Sequence, residues 1–339
     1  MDKQFWNKVT LASFFLSFII VLTHTISNIE PKFEQTLITH GILRYLHMYQ
    51  GWAVHVFFML SGILFFRDYD YNKIIQKYKS RFRSLVIPYL GWNVIGLIFW
   101  GVIGVVPILA NNINEMPIYD WTFHNLIEGI FHYKYNCVFW FIFELIVLIF
   151  ISPVIYTFIR HKYIGLIFII CFMFFSVLGK EYFIGMRCPE TWYVYMVGGY
   201  LTIHCQEYIS ECKISLSAFI SLITMFVISI LFYFKMIPFG YVGVFVFQTI
   251  AFLALWHSIN LLLPLYRPWM NGLAMFIYAA HYNISMGLSR IFNFTPHPAE
   301  YSIPALFLTT IATMFLCIIF ARLGQRFVPN IYRTLNGGR

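Results

Sequence analysis

The sequence predicts an all-α polytopic membrane protein, a bundle of about ten transmembrane helices with both termini in the cytoplasm. Three observations carry that expectation. Apolar side chains make up 60% of the 339 residues and charged ones only 11%, against roughly 25% charged in a soluble domain. The apolar residues come in runs of about 20, the length that crosses a hydrocarbon core. The Lys and Arg residues fall mainly in alternate connecting segments, which fixes orientation.

The runs place helices at approximately 8–27, 50–67, 84–110, 137–158, 163–178, 192–205, 214–233, 240–263, 270–291 and 303–323. The first run has no small-residue cleavage site and is followed by similar spans, so it reads as a helix and not as a signal peptide. The sixth is short and carries Gly198-Gly199, which lets a neighbouring helix approach closely. With the N-terminus inside, sixteen Lys and Arg lie on the inner side and seven on the outer. The inner set includes Lys8 and the cluster from Arg67 to Arg83; the outer set includes Lys32, Lys180 and Arg187. Segments 28–49 and 111–136 are then the longest outer loops. Residues 1–339 are expected to form a single transmembrane domain.

The net charge of +9 is therefore topological and does not indicate nucleic-acid binding. The six Cys show no zinc or redox spacing; Cys137 and Cys188 could both face outward and pair. No Walker motif, dinucleotide fingerprint or HExxH occurs, and no metal is expected. Asp68-Tyr69-Asp70 matches a DxD pattern without supporting context.

Several ionisable side chains lie inside the apolar runs. His24 sits toward the outer end of the first. Burying an ionisable group in a span is costly, so such a residue is a functional-site candidate by default, and a neutral imidazole can accept a proton. His281 is a second imidazole, mid-span in the ninth helix. Glu144, in the outer half of the fourth, must face the bundle interior or water. It could orient a His, bind a sugar hydroxyl or pair with a basic residue. His257 and Asn260, near the inner end of the eighth helix, read as packing or interfacial residues. In Phe57-Phe58-Met59-Leu60-Ser61-Gly62, the Ser-Gly pair suits close helix packing or the wall of a pocket. The inner cluster Lys77-Tyr78-Lys79-Ser80-Arg81-Phe82-Arg83 either holds its loop inside or binds an anion, for which Arg forks suit phosphate oxygens.

Taken in order, these segments resemble the acyltransferase-3 family of bacterial integral membrane acyltransferases. The resemblance runs through Val21-Leu22-Thr23-His24-Thr25, Phe57–Leu64, Arg81-Phe82-Arg83-Ser84-Leu85-Val86-Ile87-Pro88, Val138-Phe139-Trp140-Phe141 and Phe276-Ile277-Tyr278-Ala279-Ala280-His281. It ends in the tail Val328–Arg339. It implies a multi-pass protein of the bacterial plasma membrane that transfers an acyl group, usually acetyl, from cytoplasmic acyl-CoA. The acceptor implied is a hydroxyl on a cell-surface or exopolysaccharide sugar or a lipid-linked precursor. His24 matches the catalytic His and the Arg81 region the coenzyme A phosphate site. With these go Lys79, Arg83 and Ser61 on the donor side, and Glu144 and His281 beside the acceptor. Two positions depart: Ser13 stands where many members carry an Arg eleven residues before the His, the nearest upstream cation being Lys8, and His55 stands where relatives often have Pro or Asp. A reading from a different class is a transporter or flippase for a saccharide or lipid precursor, with the interior His and Glu lining a path and the basic cluster serving topology alone.

Overall fold

A computed structural model describes residues 3–105, 121–178, 190–238, 240–293 and 297–338. The end of the expected third helix, much of segment 111–136, Lys180, Arg187 and Cys188 lie outside these residues, and with Cys188 the proposed cysteine pair. Among the described residues the chain is helical, with one isolated bridge between Phe33 and His297.

In chain order the helices are α1 (Lys3–Ile29), α2 (Leu37–Phe66), α3 (Ile74–Arg81), α4 (Ile87–Val105), α5 (Phe123–Phe131), α6 (Trp140–Ile159) and α7 (Lys162–Leu178). They continue as α8 (Glu190–His204), α9 (Gln206–Ser210), α10 (Leu216–Tyr233), α11 (Gly240–Ser258), α12 (Ala274–Ser289), α13 (Ser302–Phe327) and α14 (Pro329–Leu335). A helix stands at each of the ten expected positions. Seven helical stretches among the described residues are long and apolar enough to cross a bilayer: 3–32, 37–66, 71–105, 137–159, 216–233, 242–265 and 299–327. The others are shorter, as α8 with 15 residues and α12 with 16 show.

Two expected boundaries are corrected. Segment 28–49 is mostly helix and not an outer loop, because α2 starts at Leu37. Thr36 caps it: its hydroxyl accepts from the Thr39 amide while the Thr39 side chain receives the Thr36 amide. This reciprocal box satisfies two donors that a helix start otherwise leaves unpaired. Likewise, 77–83 is not a loop. α3 runs into a π turn at Phe82–Val86 and on into α4. Pro88 explains the irregularity, since it has no amide to donate back and its ring crowds the carbonyl four residues earlier.

The chain divides into two compact units, one of residues 1–71 and 151–319, the other of 72–150 and 320–339. In the first, α2 crosses α8 so closely that a Cβ on Gly62 would overlap the Tyr195 carbonyl, and one on Gly198 the Met59 carbonyl. Small residues let backbones meet in this way where lipid provides no hydrophobic drive for association. The core around this crossing includes Ala53, Met59, Ile63, Tyr193 and Trp256. In the second unit α14 docks on α4. The Trp92 indole donates to the Leu335 carbonyl at 3.0 Å. Gly337, at φ +70°, lies against Ser84, where a Cβ would meet the Ser84 carbonyl at 2.6 Å. That carbonyl is the one Pro88 leaves without its helical donor.

Candidate active site

His24 lies on the face of α1 that packs against α12. Below it the two helices are joined by a run of polar contacts. The Thr25 and Ser285 hydroxyls are 2.9 Å apart, and the Asn28 amide donates to Ser285 Oγ at 3.3 Å. Lys32 Nζ donates to the Ser289 carbonyl at 2.9 Å. Positions 25 and 28 of α1, with Lys32 in the 3-10 turn just past its end, face 281, 285 and 289 of α12, which recur at helical spacing and form one stripe. These contacts fix the rotation of both helices and bring the His24 and His281 rings together, with centroids 5.2 Å apart and planes at 49°. Tyr282 meets the His24 ring edge-on at 5.4 Å.

Hydrogen bonds define the imidazoles. His281, wholly buried, donates Nδ1–H to the carbonyls of Ile277 at 3.0 Å and Tyr278 at 2.8 Å. That leaves a lone pair on Nε2, which is buried and has no hydrogen-bond partner. His24 is half-buried, and the Gln50 amide lies 3.4 Å from its Nε2. With that amide donating, His24 Nε2 is also an acceptor. Two ring nitrogens able to take a proton thus belong to adjacent side chains. One turn of α1 further on, Ser27 Oγ lies 3.3 Å from His47 Nε2.

The other expected site residues divide between the units. Ser61 is in the first, where its hydroxyl donates to the Phe57 carbonyl at 2.8 Å. Together with the Gly62 crossing, this places 57–62 in the packing of α2 on α8. Glu144 is buried in the second unit, 2% exposed on α6. Lys79 and Arg81 end α3 and Arg83 sits in the π turn; Arg81 is half-buried, Lys79 and Arg83 exposed. Ser13 donates to the Val9 carbonyl at 2.8 Å within its own helix.

Sequence reasoning missed Gln50 and Tyr282, whose types carry no signal until the fold sets them beside His24. It also gave His257 and Asn260 only a packing or interfacial role. Both are buried near the start of α1, close to a fully buried Lys8. Lys8 Nζ donates to the Glu211 carbonyl at 2.9 Å and lies 4.1 Å from the centre of the Trp256 ring. Beside them Tyr208, outside the spans on α9, donates to the Leu253 carbonyl at 2.8 Å. Burial, reinforced by the Glu211 carboxylate, holds its phenol above the ordinary tyrosine value, so it remains a donor.

None of the curated proteins and none of the solved structures compared matches the chain. A family model described as an acyltransferase domain matches residues 9–322. That stretch contains both histidines, the basic cluster and the α2–α8 crossing. The chain accordingly belongs to the acyltransferase-3 family and is a membrane acyltransferase.

Proposed function

We propose that the protein is an O-acyltransferase, acetyl being the expected group, which takes its acyl from cytoplasmic acyl-CoA and delivers it to a hydroxyl of a surface polysaccharide or lipid-linked sugar. The bacterial plasma membrane is its proposed location, with membrane lipid as its surroundings. The observation that supports this reading most is the pair of proton-accepting nitrogens on His24 and His281, held on a polar seam between two apolar helices.

The chemistry follows from those lone pairs. The acceptor hydroxyl oxygen attacks the thioester carbonyl, forming a C–O bond, while its proton passes to His24 Nε2, displacing the hydrogen bond from the Gln50 amide. The C–S bond then breaks, and the proton on His24 goes to the departing thiolate, leaving an ester and free coenzyme A. His281 Nε2, held as an acceptor by its own Nδ1–H bonds, receives a hydrogen bond from a second hydroxyl of the acceptor sugar and orients it. A general base of this kind contributes about 10²–10⁴-fold. Lys79, Arg81 and Arg83 are assigned to donor phosphates, where guanidinium forks match phosphate oxygens, and Ser61 to the wall beside the donor. Glu144 is assigned to a sugar hydroxyl, for which a buried carboxylate is a strong acceptor.

The test is acetyl transfer in vesicles by wild type and His24→Ala. Loss of transfer with coenzyme A still protecting the protein thermally is expected. Full activity in the variant rules out His24 as the base. Saccharide flux without any coenzyme A binding would support the transporter reading instead.

A further inference from the structure

His24 stands between two seams that are closed in different ways. Toward α12 the polar groups are sealed: Thr25, Ser285 and Ser289 are at most 1% exposed, and the Thr25 and Ser285 hydroxyls meet at 2.9 Å. Toward α2 the seam is a ladder of cross-helix polar pairs. The Gln50 amide lies 3.4 Å from His24 Nε2. The Ser27 hydroxyl lies 3.3 Å from His47 Nε2, and Glu30 Oε1 lies 3.0 Å from His40 Nδ1. Positions 24, 27 and 30 climb α1 and the turn after it while 50, 47 and 40 descend α2, so the ladder joins one face of each antiparallel helix. His24 and Gln50 are half-buried, whereas Ser27, His47 and His40 are exposed.

That exposure is informative because the ladder lies on two stretches long and apolar enough to cross a bilayer. An imidazole in a span faces the protein interior or a watery cavity and not acyl chains. The exposed Ser27–His47 rung therefore marks a face kept for water or a polar ligand. The ladder also leads to the reacting atom, since His24 Nε2 is the nitrogen turned to Gln50. The two rungs nearest His24 are long for hydrogen bonds, so a ligand hydroxyl can replace either partner. Amide, hydroxyl, imidazole and carboxylate groups stand along the seam, able between them to donate and to accept as sugar hydroxyls do. The cations of these stretches turn elsewhere: Lys32 donates to the Ser289 carbonyl on α12, and Arg44 lies over the Tyr233 ring on α10. The chemistry suits an uncharged ligand better than a phosphate. From position 24 to 30 the rise is about 9 Å at ~1.5 Å per residue, the scale of a short run of linked sugar rings.

We propose that the α1–α2 seam is the acceptor subsite, in which Ser27, His47 and Gln50 hold an uncharged, hydroxyl-rich stretch of sugar and present one hydroxyl to His24 Nε2. The proposal rests on the O-acyltransferase reading of His24 and states from which side the acceptor reaches it. In the orientation expected from the Lys and Arg distribution, the Glu30–His40 pair frames the outer mouth of the seam. The Gln50 amide leaves His24 Nε2 as the hydroxyl arrives and bonds a neighbouring hydroxyl of the same sugar. His47 and Ser27 are positioning residues: they hold the acceptor and take no part in proton transfer.

The test uses the full chain in sealed vesicles, with labelled acetyl-CoA as donor and the deacetylated surface glycan of the host cell as acceptor. His47→Ala is expected to raise the KM for glycan about tenfold, the loss of one hydrogen bond to the ligand, while the KM for acetyl-CoA stays within about twofold. Ser27→Ala should do the same more weakly, and His47→Gln should restore most of the affinity. A second measurement needs no acceptor. A membrane-impermeant maleimide, followed by mass spectrometry, should label Ser27→Cys from the outer side and leave Ile223→Cys, on the exposed apolar face of α10, unlabelled. An unchanged glycan KM in His47→Ala, an equal rise in both KM values, or a Ser27→Cys that is not labelled from the outer side overturns the subsite. With wild-type transfer intact, each of these leaves the O-acyltransferase reading standing. A wild type that acetylates no host glycan overturns both.

Discussion

The two ends of α1 bury polar side chains in different ways. Around His24, Thr25 and Asn28 share Ser285 and Lys32 meets Ser289 on α12, and the buried His281 Nε2 keeps a lone pair without a partner. Around Lys8 the unpartnered atoms gather: the Trp256 indole and both ends of the Asn260 amide. The first environment fixes two rings before any substrate arrives, as preorganised catalysis requires. The second leaves both donors and an acceptor without partners, so substitutions at the two ends should separate in kinetics.

The largest expected effect is at the rigid end. His24→Ala should lower acyl transfer by about 10²–10⁴-fold while leaving coenzyme A affinity within about twofold of wild type, as measured by single-turnover transfer beside equilibrium binding. A parallel fall in affinity would give His24 a share in donor binding. His281→Gln should cost about 10²-fold at most, since it removes the buried acceptor but keeps a polar side chain of similar reach. The loss should appear mainly in the dependence on acceptor concentration. A loss confined to the acyl-CoA dependence would instead move His281 to the donor side.

Next comes a change outside both ends. Gly198→Val drives two methyl groups toward the Met59 carbonyl and should cost about 1–3 kcal/mol or more of stability, read as a lower midpoint in thermal unfolding. Similar specific activity in the fraction that remains folded would show that the α2–α8 crossing supports the site only by holding the unit together. The smallest effect belongs to Thr36→Ala, which removes the cap of α2 at a cost of about 1 kcal/mol. Unfolding should register it, and transfer per folded molecule should not.

The helices and His24 were legible because lipid makes the rules strict. Backbone groups must pair within the span, and an imidazole there is costly. The start of α2 was less legible. Its box is Thr36 with Thr39, not the Ser/Thr-x-x-Glu pattern that stands out, and the helix then passes through polar residues before its apolar run. The π turn at 82–86 could be read only by letting Pro88 disturb the helix behind it. The partners of His24 were hidden for a different reason. Gln50 and Tyr282 are 26 and 258 positions away, and nothing in either residue says which face it will share. Lys8 and Asn260 are likewise far apart in sequence, and an Asn at the end of an apolar run looks ordinary until its amide is found buried and unpaired.

The paired glycines at the α2–α8 crossing also set a schedule. Gly62 and Gly198 are 136 positions apart, so at ~5–20 residues per second the ribosome completes α2 on the order of ten seconds before the segment that fills its notch. Through that interval a finished span waits in the bilayer with its seam unsealed. Chain order, and not helix propensity, therefore paces the assembly of this unit, and any nascent chain released before α8 leaves α2 without its mate.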